Sequence, residues 1–408
     1  MPGEKRRVLI IVENLPVPFD RRVWSEATTL KAAGYDVSVI CPKGQGALES
    51  YVELQGIHIY RHPMPIEAGG ILSYPLEYGI ALFFELALAW RIYFTRGFDV
   101  IHACNPPDTI FLVAGLFRIL CGTRFIFDHH DINPELYEAK FGRRDVFYKI
   151  LLKLERWTYR TADVAIATNQ SYRRIAITRG GMTPERVFVV RSGPNLERLR
   201  EGPPKPELRK GRTFLVGYVG VIGPQEGIDL LLEAAHYVVG TRQRHDVQFV
   251  VVGSGPALAG LRRQAEAMGL AGHVTFTGRV SDAELLDVLN TADVCVNPDR
   301  VNEMNDKSTM NKILEYMALE KPIVQFDLAE GRFSAQEASL YARRNDPIDF
   351  AEKILELIAD PSRRAHMGRF GRERVEKELS WEHEAPKLLK AYDALFGFER
   401  SIVVVSGR

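Results

Sequence analysis

Two short segments carry the side chains best suited to chemistry. The first consists of Asp128, His129, His130 and Asp131, which directly follow an apolar run. An imidazole titrates near neutral pH, so it can hold or move a proton. A carboxylate beside two imidazoles could also bind a metal ion, but adjacent strand residues point to opposite faces and the sequence offers no third ligand. For either histidine, a structural role and a role in a reaction both remain open.

The second segment is NEMNDKSTMNKILEYMALEKPIV, at residues 302–324. Its pattern predicts a helix that begins near Ser308 or Thr309 and places Lys312 and Glu315 on one face. Free backbone amides at the helix start and a Lys one turn later would hold a diphosphate. A carboxylate deeper in the helix could accept hydrogen bonds from a ribose. The alternative is a surface Lys–Glu pair that stabilises the helix by only about 0.2–0.5 kcal/mol.

Other residues near this helix start are candidates for the same site. Asp306 and Ser308 could cap the helix, and Asn311 lies within one turn of Lys312. The candidates for this anion site are Asp306, Lys307, Ser308, Thr309, Met310, Asn311, Lys312 and Glu315.

A glycine-rich turn offers a weaker signal. Gly253 and Gly255 follow the apolar run Phe249–Val252 and precede a helical pattern. Glycines after a strand allow backbone amides to approach an anion closely. A full GxGxxG motif would need glycine at position 258, where Leu258 stands. An ordinary turn between strand and helix is therefore about as good an interpretation.

The elements that must position these residues follow a simple pattern. Short β-branched runs alternate with longer helical patterns, which is typical of βαβ units around a parallel sheet. The predicted strands are Val8–Val12, Val37–Ile40, Val100–Ala103, Phe125–Phe127, Val164–Ala167, Val187–Val190, Phe214–Val219, Val247–Val252, Val274–Thr277, Val294–Val296 and Ile323–Phe326. The fold class is therefore α/β, with two Rossmann-like doubly wound domains facing across a cleft that we expect to hold ligands.

A Pro- and charge-rich stretch near the middle of the chain predicts the domain boundary. The first domain is expected at residues 1–196, a linker at 197–212 and the second domain at 213–380. Residues 381–408 should form a helix that crosses back to the first domain, followed by a tail.

Composition limits the class of partner and compartment. The 408 residues are 46% hydrophobic, and 53 Lys and Arg balance 52 Asp and Glu, which argues against nucleic acid as the main partner. The four cysteines are far apart and form no CxxC pair, so a zinc ribbon or a disulfide framework is not indicated. The apolar run at the N-terminus is too short for a signal-peptide core. We therefore expect a cytoplasmic protein.

Two stretches raise the question of membrane contact. Residues 71–94 are rich in apolar side chains, but Glu77, Glu85 and Arg91 interrupt them, so we expect no membrane-spanning helix. Residues 143–160 combine an apolar helical stripe with a basic one. Each stretch is compatible with an ordinary packed or solvated helix. Each is also compatible with peripheral contact with a membrane or a lipid-linked acceptor.

Five motifs together carry a resemblance to a known family. They are VENLPVPFDRRVWSEA at 12–27, FDHHDINPELYEAKFG at 127–142, RWTYRTADVAIATNQSYRRIA at 156–176, VVGSGP at 251–256 and STMNKILEYMALEKPIV at 308–324. With these motifs the chain resembles glycosyltransferase family 4 proteins of the GT-B fold, in the branch of bacterial sugar transferases of surface-polysaccharide assembly. The similarity covers nearly the whole chain.

The resemblance implies transfer of a sugar from a UDP- or GDP-linked donor to a glycan or lipid-linked acceptor. The anomeric configuration would be retained, without a required metal or other cofactor. The leaving phosphate itself would help to accept the acceptor's proton, so no nucleophilic carboxylate is needed. Two other functions stay open, a catalytically weakened scaffold of the same fold and a nucleotide-sugar epimerase.

The resemblance also assigns residues to roles. Glu315 would bind the donor ribose, while His130, with Asp131 beside it, would contact the donor sugar at the reacting centre. Lys312 would stabilise the leaving diphosphate. The remaining donor residues by resemblance are Gly223, Gly253, Gly255, Arg279 and Val280. The N-terminal half should hold the acceptor, with Arg21, Arg22 and His129 as the expected contacts.

The chain departs from the family pattern at the diphosphate. Lys307 replaces the first carboxylate of the family's E-x7-E element, and only Asp306 could substitute for it. The family's diphosphate-binding Arg and Lys fall on Val221 and Glu226. A carboxylate beside a diphosphate is repulsive, so Glu226 must point away or be compensated. The family's N-terminal glycine loop is replaced by residues 15–19, which leaves the acceptor loop undefined.

Overall fold

The structure is a computed structural model that describes residues 5–63 and 74–397; the side chains of residues 74–78 are outside this description. The chain divides into two compact units. The first comprises Met1–Glu138, Gly142–Ser192 and Glu384–Arg408, and the second comprises Ala139–Phe141 and Gly193–His383. The predicted tail after residue 397 and the start of the apolar stretch at 71–94 lie outside the described residues.

The first unit is built on an eight-stranded sheet with the order β3-β4-β2-β1-β5-β6-β7-β8. All neighbours are parallel except β3 and β4. The strands β1–β8 are Arg7–Ile11, Asp36–Pro42, Tyr51–Leu54, Ile57–His62, Val100–Cys104, Arg124–His129, Val164–Ala167 and Val187–Val189. The helices α1–α6 are Arg21–Ala32, Tyr74–Thr95, Phe111–Cys121, Asn133–Phe141, Val146–Thr161 and Gln170–Thr178.

The second unit is built on a six-stranded parallel sheet with the order β11-β10-β9-β12-β13-β14. The strands β9–β14 are Phe214–Val219, Val247–Val252, Val274–Gly278, Val294–Asn297, Ile323–Phe326 and Ser339–Ala342. The helices α7–α14 are Ile228–His236, Leu258–Ala267, Asp282–Thr291, Glu303–Lys307, Asn311–Ala318, Ala329–Ala335, Pro347–Ala359 and Pro361–Arg374. The last helix, α15 at Trp381–Phe396, enters the first unit at Glu384.

The sheets confirm the predicted α/β class with two doubly wound units. Every strand run predicted from the sequence is a strand, with small shifts of its ends. The central strand β10 is buried over its whole length, as expected for a parallel strand covered on both faces. The strands β3, β4 and β14 were not predicted, because their polar residues interrupt any apolar run.

The segment 197–212 differs from the predicted linker. Leu199 is fully buried in the core of the second unit, and a short 3₁₀ helix spans Pro206–Arg209. Arg209 pairs with Asp293 at 2.5 Å. Further hydrogen bonds, such as those from the Lys205 amide to Thr291 and from Arg212 to Gln248, both at 2.7 Å, also attach the segment to the second unit. These contacts follow no regular spacing, so they do not show as periodicity in the sequence.

Within the described residues, none of the helices combines the length and the apolar character that a membrane crossing requires.

Candidate active site

In the first unit, the histidine segment lies at the carboxyl end of β6. The neighbouring strand β5 ends beside it, since Cys104 pairs in register with Asp128. Asn105, which follows β5, is buried and its side-chain oxygen accepts hydrogen bonds from the backbone of His130 at 2.7 Å and Asp131 at 3.2 Å. Its amide group donates to the carbonyl oxygen of Asp131 at 2.6 Å. Asn105 therefore fixes the loop that carries His130.

The His130 side chain is held by an ionised pair beneath it. Its Nε2 lies 2.6 Å from Oδ2 of Asp128 and 2.9 Å from Nε of Arg22. Arg22 donates to both oxygens of Asp128, at 2.9 and 3.2 Å. When Nε2 carries the proton it donates to Asp128, and when it carries none it accepts from Arg22 Nε, because one ring nitrogen cannot do both. The His130 side chain is 14% exposed, whereas Asp128 is fully buried.

The electrostatics of this group favour an ionised Asp128. Burial opposes its ionisation, but Arg22, His130 and His102 outweigh burial and hold the pKa of Asp128 well below its usual range. Burial and the nearby Asp128 raise the pKa of Glu26 well above its usual range, while Arg22 opposes them. The two carboxyl groups are thus shifted in opposite directions around one guanidinium.

The same group also has potential metal ligands. Ligand atoms of Glu26, His102, Cys104 and Asp128 all lie within 4.8 Å of one another. Arg22 already supplies positive charge here, with Nε 3.1 Å from the Glu26 carboxyl. Burial raises the pKa of the Cys104 thiol well above its usual range, which disfavours the thiolate that a metal requires. A positioning network for His130 therefore fits these residues better than a metal centre.

Two predicted acceptor contacts in this unit are wrong. His129 is fully buried, its Nδ1 is 2.6 Å from the Tyr159 hydroxyl, and burial lowers its pKa to about 3. Arg22 is 7% exposed at its side chain and is bonded to Asp128. Both side chains are buried and already bonded within the first unit, so neither is placed to contact an acceptor. Arg21 and Asp131 are at least partly accessible and remain candidates.

In the second unit, two loops at the carboxyl ends of β9 and β10 pack against each other. The amide of Gly220 donates to Val252 O at 3.1 Å, and that of Ile222 donates to Ser254 O at 3.1 Å. A Cβ at Gly253, whose φ is +140°, would overlap the carbonyl oxygen of Gly220, and one at Gly255 would overlap that of Ile222. These glycines therefore shape the loop that contains Val221 and Gly223.

The predicted helix start near Ser308 is wrong. The short helix α10 ends at Lys307, and residues 308–310 are extended before α11 begins at Asn311. The Ser308 hydroxyl donates to Met304 O at 2.8 Å and closes α10. The reason is that Asn302 caps an extra turn by accepting from the Asn305 amide at 2.8 Å, so the chain must straighten before α11.

The candidates around this break have local partners. The Asp306 carboxylate accepts a hydrogen bond from the Ala329 amide at 2.9 Å, and Lys307 pairs with Glu303 at 2.5 Å. Ser308, Thr309 and Met310 are half-buried and Asn311 is exposed, at the amide end of α11. Asp306 therefore anchors the start of α12, and the structure gives no support to its predicted substitution for the missing carboxylate.

Lys312 lies beside the loop after β9, which Arg300 also contacts by donating from Nε to Pro224 O at 3.2 Å. Its Nζ lies 2.8 and 3.0 Å from the two oxygens of Asp299 and 4.9 Å from the Tyr218 ring centroid. Asp299 is fully buried just after β12, and burial raises its pKa despite Lys312. Lys312 is therefore held between the Asp299 carboxyl and the Tyr218 ring, with a side chain that is 11% exposed.

The side chain of Glu226 bonds to the backbone of its own loop. Its Oε2 accepts from the Gly223 amide at 3.1 Å. Burial raises the pKa of Glu226 to about 7, with Asp299 acting in the same direction and Lys312 opposing both. The predicted repulsion between Glu226 and a diphosphate is thus reduced, because the carboxyl is about half protonated at neutral pH. Val221 is 58% exposed at the tip of this loop.

Glu315 lies on α11, one turn after Lys312. Its Oε1 accepts from Arg198 Nη2 at 2.5 Å, and its side chain is 14% exposed. A carboxylate has about four acceptor sites, so this bond is compatible with hydrogen bonds from a ribose diol. Arg198 fixes the carboxylate in place. Arg279 is exposed after β11, while Val280 packs against the core.

Four functional partners were missed by sequence reasoning: Asn105, Asp128, Arg198 and Asp299. Asp128 was seen only as part of a possible metal site. Asn105 and Asp299 each come shortly after a predicted strand, which is the signal that could have found them. Arg198 lies in the supposed linker and had no such signal.

Two family models match the chain, one on each unit. The model described as Glycosyltransferase Family 4 matches residues 20–198, and the model described as Glycosyl transferases group 1 matches residues 213–360. The chain belongs to the family 4 glycosyltransferases. The resemblance drawn from the motifs is thereby confirmed, and the protein is a sugar-transferring enzyme.

Curated relatives agree with this family. The α-maltose-1-phosphate synthase of Mycolicibacterium smegmatis is 26% identical over 308 residues, which cover 69% of this chain and 76% of the synthase. A GDP-mannose-dependent α-(1-6)-phosphatidylinositol monomannoside mannosyltransferase of Mycobacterium tuberculosis is 32% identical over 210 residues, covering 48% of this chain. The matched region covers 53% of that transferase, about half of its length.

Solved structures confirm the GT-B fold of this glycosyltransferase. The sucrose-phosphate synthase of Thermosynechococcus elongatus matches with a TM-score of 0.80 and 20% identity, covering 96% of this chain and 100% of that one. HepE of Anabaena in complex with UDP-glucose matches with a TM-score of 0.73 and 16% identity, covering 95% and 99%.

Proposed function

We propose that this glycosyltransferase moves a hexose from a UDP- or GDP-linked donor to a glycan or lipid-linked acceptor of polysaccharide or glycoconjugate assembly, with retention and without a metal. The observation that carries the proposal is the arrangement of α11 in the second unit. Its amide end, Lys312 and Glu315 lie along one edge, beside the glycine-shaped loop after β9. A nucleoside diphosphate needs these three kinds of group.

The leaving diphosphate gains negative charge as the anomeric C–O bond breaks. Preformed donors stabilise that charge without reorganising during the reaction. We assign this role to Lys312 and to the amides at the start of α11. Lys312 compensates in part for the two cations that the family normally places on the loop after β9. Glu226 in its protonated form removes the opposing charge.

His130 is proposed to act on the sugar side of the donor. Asp128 and Arg22 hold its Nε2, so that Nδ1 is directed to a ligand rather than to the protein. The acceptor hydroxyl then bonds to the anomeric carbon on the face that the phosphate leaves. Its proton passes to the departing phosphate oxygen. His130 is a hydrogen-bonding group in this scheme and forms no covalent bond to the sugar.

We further propose that transfer takes place in the cytoplasm, with the acceptor presented at a membrane surface. The four cysteines are free thiols, as is usual in a reducing compartment. The related mannosyltransferase is named for a phosphatidylinositol acceptor, which supports a lipid-linked acceptor here.

The test is a transfer assay with a panel of UDP- and GDP-sugars and lipid-linked acceptors, read by mass spectrometry of both products. We expect release of the nucleoside diphosphate together with a glycosylated acceptor. An epimerised sugar nucleotide without acceptor would instead identify an epimerase. Binding of a sugar nucleotide without any turnover across the panel would identify a scaffold, and either result would refute the proposal.

Glu226 makes donor binding depend on pH. A diphosphate favours the protonated carboxyl, so affinity should be highest below pH 7 and fall as Glu226 ionises, by up to about tenfold per pH unit above its pKa. Glu226→Gln should bind more tightly at pH 8 and lose this dependence. Calorimetry should use an intact UDP-sugar, because a terminal phosphate itself titrates near pH 6.

A pH profile of donor affinity that is unchanged in Glu226→Gln would contradict this role. Glu233→Gln, at an exposed site on α7, is the control.

A further inference from the structure

One face of the first unit exposes large apolar side chains from three neighbouring helices, α2, α3 and α5. The helices are in contact, since the Trp90 and Phe117 rings are 4.5 Å apart and the Phe111 and Trp157 rings are 6.0 Å apart. The exposed fractions are 82% for Ile119, 77% for Phe94, 68% for Val146 and 48% for Trp157. We call this surface the α2/α3/α5 face. Several large exposed apolar side chains on adjoining helices are a feature of interaction surfaces.

The helical spacing on α5 separates two stripes within this face. Val146, Ile150 and Trp157 recur at intervals of four and seven and are all exposed. Lys149, Lys153 and Arg160 recur at intervals of four and seven on the adjacent side and are exposed as well. The apolar stripe predicted from the sequence was Phe147, Ile150, Leu151, Leu154 and Trp157, and three of these five, Phe147, Ile150 and Trp157, are exposed. Glu155, Thr158 and Tyr159 face the core.

The charge on this face is of one sign. Among the described side chains of α2, α3 and α5, the two carboxylates are Glu85 and Glu155, and both are fully buried. The exposed cations Lys149, Lys153 and Arg160 have no carboxylate partner within the part of the chain that the structure describes. The whole chain, by contrast, has 53 cationic and 52 anionic residues. The face is therefore a local excess of positive charge.

We propose that the α2/α3/α5 face docks on an anionic lipid bilayer. Apolar side chains around a Trp would enter the boundary between headgroups and acyl chains, and the Lys stripe would lie over the lipid phosphates. Charge complementarity favours this occupant, because exposed cations flank the apolar stripe and the described carboxylates within the three helices, Glu85 and Glu155, are buried. The inference deepens the proposed use of a lipid-linked acceptor and rests on that function for its purpose.

The experiment is sedimentation of the full-length protein with vesicles of phosphatidylcholine alone or with 30% phosphatidylglycerol. We expect binding to the anionic vesicles, release at 0.5 M salt, and little binding to the neutral ones. The charge variant Lys149→Gln/Lys153→Gln/Arg160→Gln should lose at least tenfold in partitioning, because each cation contributes about fivefold. The apolar variant Phe94→Ser/Ile119→Ser/Val146→Ser should lose a similar factor. Arg263→Gln/Arg369→Gln/Lys390→Gln, all exposed outside the face, is the matched control.

Three outcomes would overturn the proposal: no binding to anionic vesicles, equal binding to both vesicle types, or unchanged binding by both variants. A dimer in light scattering that the apolar variant dissolves would instead assign the face to a second copy of the chain. Vesicle binding needs no donor, so it is independent of the proposed transfer. Binding without transfer would refute the function alone, and transfer to a detergent-solubilised acceptor without vesicle binding would refute the face alone.

Discussion

His130→Ala is expected to lower kcat/KM for sugar transfer by at least about 100-fold, the usual loss when one preorganised hydrogen-bonding group is removed from a reacting centre. The side chain is held by Asp128 at 2.6 Å and by Arg22, and its loop is fixed by Asn105. The loss should fall mainly on kcat, because the nucleotide is bound by the second unit in our proposal. Steady-state kinetics on the donor give both constants.

Two further variants separate a role in the reaction from a role in folding. His366→Ala, an exposed histidine on α14, should leave kcat unchanged. Asp128→Asn should also reduce kcat, since the amide replaces the carboxylate that contacts both Nε2 of His130 and the Arg22 guanidinium. If His130→Ala retained most of the wild-type kcat with an intact fold, the assignment of His130 would be wrong.

Lys312→Met is expected to destabilise the second unit by about 3–5 kcal/mol, because removal of one partner leaves a buried charge without compensation. Asp299 is 1% exposed and lies 2.8 Å from Lys312. The midpoint of thermal unfolding should fall by about 10 °C. The loss should be smaller at pH 5 than at pH 8. The pKa of Asp299 is raised in the folded protein, so its protonated form stabilises the fold and that contribution disappears as the pH rises through that pKa.

The double variant Lys312→Met/Asp299→Asn separates the contribution of Lys312 to folding stability from its contribution to donor binding. It removes both charges and should recover most of the lost stability, but it should not recover the stabilisation that a UDP-sugar gives the wild type. Thermal melts with and without donor measure both quantities. Full donor response in the double variant would show that Lys312 serves only the fold.

The fold was largely predictable from the sequence because both sheets are parallel and buried. Their central strands, such as β9 and β10, are continuous apolar runs. The antiparallel β3 at a sheet edge has only four residues, half of them exposed, so the same criterion missed it. The break at residues 308–310 was missed because Asp306 and Ser308 were interpreted as caps of a single helix, whereas Asn302 caps a separate short helix, α10, just before it.

The site was only partly predictable. Lys312, Glu315 and His130 were predicted from their spacing and the family motifs, but two of the contacts that hold this network come from residues far away in the sequence. Glu315 is bound by Arg198, which is 117 residues away, and Asp128 by Arg22, which is 106 residues away. The predictions for His129 and Arg22 failed because both are polar residues that the sequence suggested would be exposed, whereas both are buried in the structure.

The most direct test is calorimetric titration of UDP-sugars and GDP-sugars into the wild type and Glu315→Gln, with Glu233→Gln as the control. Our account predicts that one of the two nucleotides binds the wild type and the control alike. It also predicts that Glu315→Gln loses at least about tenfold in affinity, which corresponds to one charged hydrogen bond to the ribose, while its melting temperature without ligand stays close to that of the wild type. Equal affinity in Glu315→Gln and the wild type would place the nucleotide elsewhere and contradict the account.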